Sequence, residues 1–201
     1  KALMTAVGQP PEGIVLRVGG EEEDQQEAAN FLMLAFAVAV FGMAMILVIQ
    51  FNSIYQTLLV LSAIVLSTAG VLLGLLVNSQ SFGIVMVGMG VIALAGIVVN
   101  NNIILIDTFN FLRQTEPHLS IREAAVKTCA QRLRPIFLTT ATTILGLLPI
   151  ALGVSVDVVS REIVVDGVVT SYFRPVAEAI VSGLFFATLM TLFFTPVMLV
   201  L

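Results

Sequence analysis

Three consecutive amides, Asn100-Asn101-Asn102, interrupt the apolar run from Gly96 to Ile106, and Asp107 closes it. Hydrogen-bonding groups beside a titratable one, in surroundings this oily, can relay or gate a proton. Burying an unpaired amide in hydrocarbon costs several kcal/mol, whereas an interhelical hydrogen bond inside a membrane contributes only about 0.6 kcal/mol on average. Stability alone is a poor reason for the cluster. At 100° per residue the three amides fan over about 200° of a helix, so they cannot share one narrow face, and their helix belongs in the centre of a bundle. Helical spacing sets Ala93, Gly96, Asn100, Ile103 and Asp107 along one stripe, with the carboxylate roughly 10 Å from the Asn100 amide. Two readings stay open. The stripe is a proton-relay face, or the amides are packing glue and Asp107 merely marks the end of the apolar run.

Thr139, Thr140, Thr142 and Thr143 form a second polar group, whose hydroxyls can line a wet path or bond back to carbonyls one turn earlier. Gly70 and Gly74 make a GxxxG pair that reads as a helix-packing contact, and Gly96 has the same small-residue character. His118, the single histidine, lies in a polar loop beside Pro117 and reads as a solvated side chain. The single cysteine, Cys129, has no internal disulfide partner, and no Cys/His spacing fits a structural metal, so no metal centre or cofactor is expected. GxxxxGK[ST], HExxH and GxSxG are all absent, which leaves nucleotide or peptide hydrolysis without visible chemistry. Energy, if used, comes from an ion gradient. Thirteen acidic against nine basic residues give a formal net charge of -4, so no basic nucleic-acid-binding surface is present.

The elements that position these groups follow from where charges are missing. Hydrophobic residues make up 58% of the 201 and charged ones 11%, and the mean hydropathy of +1.06 excludes a water-soluble globule. A full charge at the bilayer centre is disfavoured by roughly 2.5 to 3.5 kcal/mol, so charge-free gaps are candidate spans. None of Asp, Glu, Lys or Arg occurs between Glu27 and Asp107, and polar breaks at Gln50-Phe51-Asn52-Ser53 and Asn78-Ser79-Gln80-Ser81 divide this stretch into helices near 30–50, 54–77 and 82–106. The gaps from Arg134 to Asp157 and from Glu178 onward give spans near 135–154 and 179–201. Five membrane helices result. Ser120 and Glu123 match a capping box, so a short interfacial helix is expected near 121–133.

Orientation follows the basic residues. Arg113, Arg122, Lys127, Arg132 and Arg134 fall between the third and fourth spans, which puts the 107–134 loop in the cytoplasm and the N-terminal segment and the 155–177 connection outside. These cations can also simply anchor at lipid headgroups. Residues 13–20 alternate like a strand, without a second strand pattern to pair with, and the sequence reads as an excised piece of something longer. Residues 1–28 are accordingly taken as the tail of an external domain and 29–201 as transmembrane.

Several short pieces in fixed order then carry a resemblance: Pro11-Glu12-Gly13 with Gly19-Gly20-Glu21, Gln50-Phe51-Asn52-Ser53, Gly96-Ile97-Val98-Val99-Asn100-Asn101, Arg132-Leu133-Arg134-Pro135 with Thr139-Thr140, and Gly146-Leu147-Leu148-Pro149. Together they resemble the C-terminal transmembrane half of resistance-nodulation-division (RND) efflux transporters of the AcrB/AcrD/AcrF-like family, over nearly the whole chain. The resemblance implies an all-α membrane fold, five helices of an RND-type bundle equivalent to the last five of twelve, with a short periplasmic strand segment at its N-terminus. It implies a secondary active transporter and not an enzyme: a bacterial inner-membrane pump exchanging protons for drugs or other amphiphiles. Its partners would be the lipid bilayer, protons, a substrate bound outside this fragment, and a homotrimer joined to a periplasmic adaptor and an outer-membrane channel. In many drug-exporting members a lysine pairs with two aspartates of another helix. That lysine's position matches Asn100, which can hydrogen-bond to carboxyls but cannot form the ion pair. The family's hydroxyl matches Thr139 and its cytoplasmic-side arginine matches Arg132, so the expected relay set is Asn100, Asn101, Thr139, Arg132 and Asp107. A protein- or lipid-export component of the same superfamily, a structural membrane subunit and a gated channel remain as alternatives.

Overall fold

The computed structural model describes residues 21–78, 83–157, 162–165 and 167–200. Five long helices run up and down: α1 (Glu21–Phe51), α2 (Ile54–Val77), α3 (Ile84–Thr115), α4 (Ile121–Ala151) and α5 (Val168–Val200). All five are long and apolar enough to cross a membrane. Even the shortest, α2 with 24 residues, extends about 36 Å against a hydrocarbon core of about 30 Å. The fold is an all-α membrane bundle.

Local chemistry explains the turns. Asn52 adopts φ 48°, a left-handed conformation that asparagine tolerates better than most residues. Ser53 then caps α2, its Oγ accepting from Gln56 N at 3.4 Å, so the Gln50–Ser53 break is a two-residue corner. At the start of α4 the capping box is complete: Glu123 N donates to Ser120 Oγ, and the Glu123 carboxylate accepts from Ser120 N at 2.9 Å.

Four helices extend well beyond the spans read from the sequence, and for one reason, while the expected 135–154 span stops at Ala151 and gives Val154 to a strand. Gaps between charges mark how much of a helix can lie in hydrocarbon, but backbone hydrogen bonding continues until a breaker intervenes. The helix α1 therefore takes in the acidic run and begins at Glu21, α3 continues past Asp107 to Thr115, and α5 begins at Val168. The expected separate helix near 121–133 is the first part of α4, continuous through Pro135, because a single proline removes one backbone donor and can kink a helix without ending it. A second strand pattern also exists. Val154–Asp157 (β1) pairs antiparallel with Glu162–Val165 (β2), Val154 opposite Val165, after Gly153 turns the chain at φ 75°. The strand pattern at 13–20 lies outside the described residues.

Helix α5 is the hub, packing against α2, α3 and α4, while α1 packs mainly against α2 and α3. Small residues allow the close approaches. A methyl added at Gly70 would lie 2.5 Å from Phe186 Cβ, and one at Gly74 would collide with Ser182. The two contacts fix an antiparallel register between α2 and α5. Val71, Leu75, Val87, Leu94, Ala179 and Leu184 fill one core between α2, α3 and α5; Leu47, Leu59, Val60, Ile64, Val99 and Ile106 fill another between α1, α2 and α3. Large apolar side chains remain on the outside, Phe31, Ile49, Val65 and Phe193 among them, as expected where hydrocarbon replaces water as solvent.

Candidate functional site

The three amides of α3 have separate fates. Asn102 is fully buried: its Nδ2 donates to Val98 O at 3.0 Å and to Thr191 Oγ1 at 3.1 Å, and its Oδ1 accepts from Thr195 Oγ1 at 2.8 Å. This amide fastens α3 to α5. Asn101 is also buried. Asn100 is exposed, as are Ala93, Gly96, Ile104, Asp107 and Phe111, all on one side of α3. A methyl at Gly96 would meet nothing within 4 Å, so Gly96 packs against no helix among the described residues, unlike Gly70 and Gly74. The reason is rotation: fastening Asn102 and the Val98 ridge onto α5 and α2 turns the Gly96–Asn100–Asp107 stripe outward.

Helices α3 and α4 are tied at one level by Arg132, whose Nε donates to Thr108 Oγ1 at 2.5 Å. Thr108 in turn donates to Ile104 O at 2.7 Å. The guanidinium is thus held one residue beyond Asp107. Moving two turns along each antiparallel helix, about 10 Å, brings Thr139 level with Asn101. Thr139 is exposed and donates to Ile136 O at 2.9 Å, so its hydroxyl is occupied on its own helix while an acceptor lone pair stays open. Thr142 and Thr143 likewise bond back, to Leu138 O and Thr139 O. Thr140 is the exception, reaching Thr188 of α5 at 2.9 Å in a buried hydroxyl pair.

By helical rise from the Arg132–Thr108 tie, Asn100, Asn101 and Thr139 fall at about one depth along the two helices, with Asp107 and Arg132 about two turns away toward the 116–120 loop. Asp107 lines a polar cleft of about 430 Å³ with Gln50, Gln56, Asn110 and Arg113. Within it Gln56 and Asn110 exchange both amide hydrogen bonds, each at 2.9 Å. Sequence reading missed this pair, although an asparagine one turn below Asp107 and a glutamine just after the Ser53 corner were visible signals. It also took Glu178 only as a boundary. In α5 Glu178 is buried, one carboxylate oxygen accepting from Arg174 Nε at 2.9 Å and the other without a hydrogen-bond partner among the described residues.

Comparisons with known proteins fit this architecture. Residues 1–201 match the AcrB/AcrD/AcrF family. The multidrug resistance protein MdtC of Edwardsiella ictaluri (strain 93-146) is 32% identical over 194 residues, which is 96% of this chain and 17% of that protein. Two crystal forms of a heavy metal efflux pump superpose with TM-scores of 0.72 and 0.70, at 30% and 31% identity. They cover 97% and 89% of this chain but 18% and 16% of the pump. The chain spans about a sixth of the length of such relatives.

Proposed function

The chain belongs to the AcrB/AcrD/AcrF family of RND efflux transporters, matched over residues 1–201, and from that premise we propose that it is the proton-responsive helical half of an inner-membrane pump driven by proton antiport. The observation that carries the reading is the outward polar stripe of α3. Asn100 and Asp107 are both exposed on the same side of α3, Asp107 at the edge of the polar cleft toward α1 and α2, in a helix otherwise apolar enough to cross a membrane. An amide on a lipid-facing surface would lose its hydrogen bonds with no return. A companion segment with polar groups belongs there.

The companion supplies carboxyls that take up protons. Asn100 donates to a carboxylate and accepts from a carboxylic acid, so protonation reverses the sense of the hydrogen bond and changes which orientation of α3 is favoured. Asn101 and Thr139, at the same depth, are the further acceptors. Arg132, tied to Thr108, transmits the movement of α3 to α4, and Asp107 at the polar cleft exchanges the proton with water on the cytoplasmic side. Substrate binds outside this chain, and the shift reaches the external domain through α1 from residues 1–28.

Amphiphiles, including drugs, are the substrates this reading favours, in line with a 32% identical relative that is a multidrug resistance protein. Metal ions are the second reading, since the solved relatives at 30% and 31% identity are forms of a heavy metal efflux pump. A trimer with a periplasmic adaptor and an outer-membrane channel completes the proposal. Replacing Asn100 with Leu in the full-length transporter tests it: drug efflux from cells falls to the level of cells lacking the pump, while membrane insertion and oligomer size are unchanged. Wild-type efflux by that variant overturns the assignment.

A further inference from the structure

Where α4 begins and α5 ends, the two antiparallel helices leave an apolar groove of about 360 Å³, lined by Arg122, Val126, Cys129, Pro196, Val197 and Val200. Its chemistry is graded along its length. Arg122 stands at the end nearest the 116–120 loop, and the remaining lining is apolar along the outer side of the two helices, Cys129 lying about 10 Å farther along α4. Val126 and Val197 are both exposed large apolar side chains on this groove.

The charge at that end is unspent. Both acidic side chains nearest in sequence are engaged elsewhere: Glu123 closes the capping box on Ser120 at 2.9 and 2.8 Å, and Glu116 is held by Lys127 at 2.6 Å. Arg122 itself is exposed and has no hydrogen-bond or ion-pair partner among the described residues. A guanidinium presents a planar donor fork that fits a phosphate, and a groove that pairs such a fork with an apolar track complements an anionic amphiphile.

We propose that this groove is a binding site for an anionic phospholipid, its phosphate on the Arg122 guanidinium and an acyl chain along Val126, Cys129, Val197 and Val200. The site rests on the chain being embedded in a membrane and is independent of what Asn100 does. A lipid seated there wedges between α4 and α5 at the end where Arg132 ties α4 to α3.

The experiment uses the full-length transporter, other cysteines replaced by serine, in phosphatidylcholine vesicles with or without phosphatidylglycerol. Mild extraction and native mass spectrometry then count retained lipids. The wild type retains one more phosphatidylglycerol per protomer than Arg122→Gln or the groove-filling Val197→Trp, with phosphatidylcholine retention equal in all three. Phosphatidylglycerol also slows the reaction of Cys129 with a bilayer-partitioned maleimide several-fold in the wild type and not in Arg122→Gln. Equal phosphatidylglycerol retention in the three proteins overturns the site. So does a Cys129 inert to the reagent in every lipid, which means other helices of the transporter fill the groove, and so does equal protection by inorganic phosphate. A transporter that keeps its extra lipid while Asn100→Leu still exports would retain this inference and lose the proton reading.

Discussion

Asn100 and Asn102 carry the same side chain two positions apart and do different work. Asn102 spends every strong hydrogen bond on α3 and α5, so Asn102→Leu leaves Thr191 and Thr195 without their shared partner. Both hydroxyls can turn to a carbonyl one turn earlier, which limits the loss to about 1–3 kcal/mol. Denaturant unfolding of the purified transporter should show a drop of that size, and an unchanged midpoint would mean that the amide is not a fastener. Asn100 is the reverse case: under the proposed function, Asn100→Leu is expected to remove transport and spare the fold. That one of three amides is structural and another outward could not be decided from the string, because a 100° step between neighbours separates their faces without saying which face meets a helix.

Among the elements, α2 and α5 depend on missing atoms. Gly70 and Gly74 lie against Phe186 and Ser182, and Gly74→Val forces the two helices apart along the apolar core they share with α3. Detergent-solubilised Gly74→Val should give a markedly lower melting temperature than Gly42→Val, since a methyl at Gly42 meets nothing within 4 Å; equal melting temperatures would refute the close-packing role. At α4 the cap is the vulnerable point. Ser120→Ala removes the acceptor for Glu123 N and costs about 1 kcal/mol, read as faster amide hydrogen exchange over residues 121–125 with the span itself unaffected. The GxxxG spacing and the Ser-x-x-Glu signature were legible beforehand because both are local rules. The continuity of α4 through Pro135 was not, since proline weakens a helix by an amount that neighbouring packing can offset.

The whole molecule is a bundle with one polar flank left open and an apolar perimeter. Orientation is testable at this scale. If the basic 107–134 region faces the cytoplasm, as the distribution of Lys and Arg predicts, His118→Cys should react with a membrane-impermeant thiol reagent in inside-out vesicles and not in intact cells; labelling in intact cells would invert the expected topology, and with it the proposed direction of proton release at Asp107. The sequence by itself determined that this is a five-span membrane chain, because hydrocarbon excludes charge and the gaps between charged residues are long enough to be spans whatever the packing. It also located the amides, the hydroxyls and Asp107. Only the tertiary structure decided which of them look inward, that Gly96 is open while Gly74 is covered, that Gln56 meets Asn110, and that an apolar groove ends at Arg122. Those outcomes depend on how each helix is rotated about its own axis, and rotation is set jointly by the residues of two or three helices, which no single stretch of sequence contains.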